Sequence, residues 1–139
     1  MPSIHYQRLA SELLPLANKF YKSQRSPMRV GRSEQVWVAQ QAEIIAACCL
    51  KPVADGHWLT ALLVAREQRQ QGIASQLLNE LRAHSQGPIW LFCAPELLSF
   101  YQCLGFAPCP ALPAELTERL LRYQRKQPLL ALASPPQCG

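Results

Sequence analysis

Between the apolar run Leu62-Leu63-Val64 and the helically spaced Ile73, Leu77, Leu78 and Leu81 lies the segment Arg69-Gln70-Gln71-Gly72-Ile73-Ala74. A chain that leaves a buried strand and enters a helix through such a segment presents the unpaired N–H groups of the first helical turn. Together with the helix dipole these favour an anion, a phosphate above all. Gly72 lets the backbone approach the anion with no side chain in the way, Ala74 keeps the helix start narrow, and Arg69 adds positive charge. The GxGxxG and GxxxxGK[ST] fingerprints are both absent, so this segment alone names no particular phosphate-bearing molecule.

The surrounding elements must hold that cradle. Trp58 to Val64 is nearly continuous apolar sequence, which predicts a central strand covered on both faces. Residues 73 onward predict a helix ending before Gly87-Pro88, and Ile89 to Cys93 predicts another buried strand. Strand, glycine loop, helix and strand form a βαβ unit. Upstream, Ile4 to Leu9 alternates as a strand does, and Ser11 offers an N-cap for a helix through Phe20 with Pro15 in its first turn. Ser23 to Ser33 reads as a loop, Val36 to Ala39 and Ile44 to Leu50 as a hairpin, and Asp55-Gly56 as a turn. Downstream, Pro95 opens a short helix through Leu104 that Gly105 stops. Phe106 begins an extended segment, 115 to 126 has helical spacing, and 129 to 133 forms a last strand ahead of a frayed tail over 134 to 139.

The 139 residues are enough for one domain with a real core, and 49% apolar with 17% charged residues is a globular composition. The net charge of +5 suits an anionic partner, but the basic residues are dispersed, which disfavours a nucleic-acid stripe. Six cysteines without CxxC spacing argue against a metal site and for a reduced interior. Without a signal peptide or an apolar stretch long enough to span a bilayer, the expectation is a cytoplasmic protein with no membrane partner.

The segment Leu62-Leu63-Val64 followed by Arg69-Gln70-Gln71-Gly72-Ile73-Ala74 resembles the central motif of the GCN5-related N-acetyltransferase (GNAT) superfamily. A second match lies downstream, where Pro95-Glu96-Leu97-Leu98-Ser99-Phe100-Tyr101-Gln102-Cys103-Leu104-Gly105-Phe106 is similar to the family's Phe-Tyr-x-x-Leu-Gly-Phe segment. The resemblance in element order covers nearly the whole chain and is specific between about Trp58 and Phe106. It implies a single α/β (α+β) domain over residues 1–139, with a mixed, mostly antiparallel twisted sheet flanked by helices. A central V-shaped splay would lie between Leu62–Val64 and Ile89–Cys93.

The same resemblance implies acetyl-coenzyme A as co-substrate. Its pyrophosphate would lie on the amides of Gln70, Gln71, Gly72, Ile73, Ala74 and Ser75. Its pantetheine arm would pair like an added strand with the main chain at Leu62 and Val64. Leu63, Arg69 and Phe100 complete the expected cofactor set. Tyr101 takes the role of proton donor to the departing thiolate, its hydroxyl being protonated at neutral pH with an ordinary pKa of about 10. A backbone N–H near Val64 would face the developing oxyanion. The chain departs from the family pattern in having Ala94 or Pro95 where many members carry Asn, and Arg66 where Pro is usual.

For the base that deprotonates the amine, Glu34, Glu43, His57 and Glu67 are all available, and Glu34 and His57 rank first. Each named residue also has a plainer reading. Tyr101 can be a core aromatic, and His57 reads first as a surface turn residue. Trp37, Trp58 and Trp90 read as core. Cys48 and Cys49, adjacent on a strand, face opposite sides and read as packing. Lys19, Lys22, Arg25, Arg29 and Arg32 form a solvated face or, more sharply, a rim that attracts an acidic substrate or RNA. The reading is acetyl transfer to a primary amine of a small molecule or peptide by direct attack. A noncatalytic acyl-coenzyme A-binding module and an enzyme acting on an RNA-linked amine are its alternatives. The oligomeric state stays open, a homodimer included.

Overall fold

The computed structural model describes residues 3–31, 34–109 and 111–134. The chain falls into two compact units, one comprising the residues up to Lys51 with Leu59–Ser85, the other Pro52–Trp58 with the residues from Gln86 onward. In chain order the elements are β1 (His5–Arg8), α1 (Leu14–Ser23), β2 (Gln35–Gln40), β3 (Ile44–Val53), β4 (Gly56–Val64), α2 (Ile73–His84), β5 (Ile89–Cys93), α3 (Leu98–Cys103), β6 (Ala107–Pro108), α4 (Ala114–Gln124) and β7 (Leu130–Ser134). Strand β4 begins in the second unit and ends in the first.

In the first unit the strand order is β1-β2-β3-β4. β1 and β3 both run antiparallel to β2. Alternation along β2 decides which helix covers which face. Val36 and Val38 pack with Ala17, Phe20 and Tyr21 of α1. Trp37 points the other way and meets the His84 ring of α2, with centroids 5.8 Å apart. Cys49 lies opposite Val36 and Cys48 opposite Trp37. The two thiols therefore face opposite sides as packing groups, both fully buried.

In the second unit the order is β4-β5-β7-β6. β4 and β5 are parallel at His57↔Ile89 and Trp58↔Trp90. β7 is antiparallel to both β5 and β6. Helix α4 buries Leu116 against Val53, Trp58 and Trp90. Its Arg119 guanidinium lies 4.6 Å from the centre of the Trp58 ring, a cation–π contact. All three tryptophans are core residues, 5–7% exposed.

Several sequence expectations shift. Leu13 rather than Ser11 is the cap residue of α1: Ser11 opens a short 3-10 turn before it, and its hydroxyl bonds the Glu12 carboxylate. The segment after Pro95 divides into a 3-10 turn, Pro95–Leu97, and the short helix α3. The turn before β4 is made by Ala54-Asp55, while Gly56 belongs to the strand. Glycine is needed there because a side chain at Gly56 would run into the Pro88 carbonyl. Ser134, assigned to the tail, is a buried residue of β7, and the rest of that tail lies outside the described residues. Leu62, Leu63 and Val64, expected to be covered on both faces, are only half-buried. Among the described residues no helix is long and apolar enough to cross a membrane.

Candidate active site

The glycine loop is built from a 3-10 turn at Arg66–Gln68, an extended Arg69, and two left-handed residues, Gln70 at φ 65° and Gly72 at φ 75°. Gly72 is the N-cap of α2 and offers no side-chain cap. Its carbonyl accepts from Gln76 N–H at 3.0 Å, closing the first helical turn. The N–H groups of Ile73, Ala74 and Ser75 precede that bond and have no acceptor within the helix. A Cβ built on Gly72 would meet nothing within 4 Å, so a ligand can reach this backbone freely. Burial of Ile73, Leu77, Leu78 and Leu81 holds the helix in place. Arg69 donates from Nε to the Val64 carbonyl at 3.1 Å, tying the loop to the end of β4.

The main chain of β4 changes phase along its length. At its start His57 N–H donates to the Pro88 carbonyl at 2.9 Å, so odd-numbered residues point away from β3. At its end Ala65 N–H donates to the Ile45 carbonyl of β3 at 2.8 Å, so odd-numbered residues point toward β3. Peptide groups alternate strictly in a regular strand, and only an extra residue reverses the alternation. Ala61, a non-glycine residue at φ 57°, is that residue. Beyond this β-bulge the N–H and C=O groups of Leu62 and Val64 face away from β3.

The Ala61 carbonyl accepts a hydrogen bond from the Tyr21 hydroxyl at 2.7 Å. With that proton committed, the Cys49 thiol at 3.8 Å is the donor to Tyr21 Oη. Burial raises the Tyr21 pKa far above the ordinary tyrosine range and pushes Cys49 up to about 12. Both groups keep their protons at neutral pH.

Beside the bulge, the Glu34 carboxylate accepts from the Thr60 hydroxyl at 3.3 Å and from the Gly31 N–H. Glu34 thus lies with Thr60 next to Ala61, whereas Glu43 is on the exposed β2–β3 turn and Glu67 on the exposed turn before the loop. His57 is at the start of β4, in the second unit. Burial lowers its pKa, while a hydrogen bond to the Gln86 backbone works in the opposite direction. Phe100 and Tyr101 are also in the second unit, on α3, where the Tyr101 ring lies edge-on to Phe100 and Phe106 at 5.0 and 6.0 Å. The Tyr101 carbonyl accepts from the N–H groups of Leu104 and Phe106 around the turn at Gly105. Among the described residues no cluster of His, Cys, Asp and Glu could hold a metal ion.

Three residues that organise the site escape sequence reasoning. Tyr21 lies just past Phe20, where the sequence reading ends the helix, Thr60 reads as part of a strand, and Ala61 carries no mark of positive φ, which glycine or asparagine would have given.

Comparison with solved structures shows the same fold in proteins of low identity. N-acetylglutamate synthase from Neisseria gonorrhoeae, complexed with coenzyme A and N-acetyl-glutamate, aligns with a TM-score of 0.72 at 14% identity over 99% of this chain. The chain spans only 36% of that synthase. Tetrahymena GCN5 aligns with a TM-score of 0.72 at 12% identity, covering 96% of both chains. The ribosomal-protein-S18-alanine N-acetyltransferase from Escherichia coli aligns at 0.65 and 17% identity over 99% of this chain and 96% of its own. No curated protein sequence matches the chain. The family model of the acetyltransferase (GNAT) domain matches residues 32–108, more than half of the sequence and the part that holds the bulge, the glycine loop and Tyr101. The chain therefore belongs to the GNAT acetyltransferase family.

Proposed function

We propose that residues 1–139 form one N-acetyltransferase domain that passes the acetyl group of acetyl-coenzyme A to a primary amine of a small molecule or peptide. The observation that carries this reading is the phase change at Ala61. It turns the main chain of Leu62 and Val64 away from β3, and the chain leads from there through the glycine loop to the uncapped start of α2. A pantetheine arm carries amide groups that can pair with such an edge, and a pyrophosphate matches the N–H groups of Gln70 to Ser75. Arg69, held beside Val64, adds the charge. Leu63 and Phe100 complete the contact set.

In this reading the amine nitrogen attacks the thioester carbon, the C–N bond forms, and the C–S bond breaks. The Val64 N–H faces the developing oxyanion. The Tyr101 hydroxyl gives its proton to the departing sulfur, and Glu34 takes the proton that the amine must lose. Glu34 is preferred to His57 because its carboxylate lies beside the bulge, held by Thr60 and Gly31.

The test is a panel of amino acids, polyamines, antibiotics and peptides scored for thiol release from acetyl-coenzyme A, repeated with Tyr101→Phe. Turnover with at least one amine, and a fall in kcat of at least about a hundredfold in the variant, is expected of a general acid. Coenzyme A binding without transfer to any amine would instead identify a noncatalytic binding module.

A further inference from the structure

A strand does not keep an alanine at φ 57° by itself, since the Cβ opposes the left-handed region and the bulge withdraws a carbonyl from the ladder. The structure supplies a replacement partner from outside the sheet. Tyr21, the fully buried residue near the end of α1, reaches the Ala61 carbonyl at 2.7 Å. Its ring is fixed by Phe20, with centroids 5.7 Å apart, and by the cluster of Ala17, Val36, Val38, Ala47 and Cys49. The hydroxyl is thus delivered by the packing of α1 on the sheet, and the oxygen it holds belongs to the residue at which β4 changes phase.

We propose that Tyr21 is a positioning residue for acetyl-coenzyme A: by holding the Ala61 carbonyl it fixes the bulge that turns the Leu62 and Val64 main chain toward the ligand. Without the hydroxyl, the partly buried carbonyl loses its partner and β4 gains by returning to a regular ladder. A one-residue slip then reverses the main-chain direction at both positions. Tyr21 is fully buried and its hydroxyl proton is committed to the Ala61 carbonyl, so its effect falls on the binding of the acetyl donor. The proposal rests on the coenzyme A reading given above.

The experiment measures coenzyme A affinity by calorimetry, and KM for acetyl-coenzyme A and for the amine, in wild type, Tyr21→Phe, the double variant Tyr21→Phe/Ala61→Gly, and Leu116→Val. Tyr21→Phe keeps the ring and is expected to weaken coenzyme A binding about tenfold, the scale of one hydrogen bond. KM for the donor rises with it, while KM for the amine is unchanged. Ala61→Gly removes the Cβ penalty at φ 57° and recovers most of the lost affinity. Leu116→Val thins the buried core under α4 in the second unit, to which neither Tyr21 nor Ala61 belongs, and lowers the melting temperature without changing donor affinity. Unchanged affinity in Tyr21→Phe, no recovery in the double variant, or an equal loss in Leu116→Val overturns the role of Tyr21. Wild-type protein that takes up no coenzyme A refutes the coenzyme A reading itself, so the two failures are told apart by the first titration.

Discussion

Arg69 Nε donates to the carbonyl oxygen of Val64 at 3.1 Å, so the cation of the glycine loop also ties down the last residue of β4. Charge and geometry can be separated. Arg69→Lys keeps the charge but loses the planar N–H donor, and Arg69→Ala loses both. The expected order of acetyl-coenzyme A KM is wild type, then Lys at about threefold, then Ala at about tenfold or more, roughly 1.4 kcal/mol. Equal KM values in all three proteins, measured at low salt, would show that Arg69 does not serve the donor.

Gly72 combines φ 75° with open space where its Cβ would stand. Gly72→Ala therefore costs backbone strain rather than a clash, about 1 kcal/mol, and should lower the melting temperature by about 4 °C. The new methyl group also projects into the space through which a phosphate must approach, so coenzyme A affinity should fall further than stability alone explains. A calorimetric titration beside a thermal melt separates the two effects. Full affinity in a destabilised variant would remove the pyrophosphate from Gly72.

Much of the fold was legible because it rests on local periodicity. Trp58 to Val64 and Ile89 to Cys93 read as buried strands, and the spacing of Ile73, Leu77, Leu78 and Leu81 gave the buried face of α2. The family motifs located the loop at Gly72. What stayed hidden depends on partners far apart in sequence. Tyr21 meets Ala61 across 40 residues and Glu34 meets Thr60 across 26, and neither pairing leaves a local pattern. The half-burial of Leu62 to Val64 was hidden for a related reason: apolar composition records what a strand can bury, and the bulge changes which groups it presents.

His57 gives a pH dependence of stability. Its folded-state pKa lies below the ordinary 6.5 because burial disfavours the imidazolium, whereas the unfolded chain takes up its proton near 6.5. Above that pH neither state is protonated there and the residue adds no penalty. As the pH falls below 6.5, the unfolded state binds more protons and stability declines, until the folded-state pKa is passed. His57→Gln should flatten this part of the melting-temperature profile. An identical slope below pH 6.5 in wild type and variant would mean that His57 is not the group responsible.

Thr60 and Glu34 offer a test of the proposed base that does not depend on one substitution. The Thr60 hydroxyl donates to Glu34 Oε2 at 3.3 Å, and Gly31 N–H holds the other oxygen. If Glu34 accepts the amine proton, Glu34→Gln should lower kcat by at least about a hundredfold, in the range of general-base removal. Thr60→Val keeps the shape and only loosens the carboxylate, so about a fivefold loss is expected, the scale of one hydrogen bond to a partly exposed charge. Thr60 would act only through Glu34, so the double variant should be no slower than Glu34→Gln alone, whereas independent effects would multiply. Multiplied losses would assign Thr60 a separate role. An active Glu34→Gln enzyme would move the search for the base to His57 or to solvent.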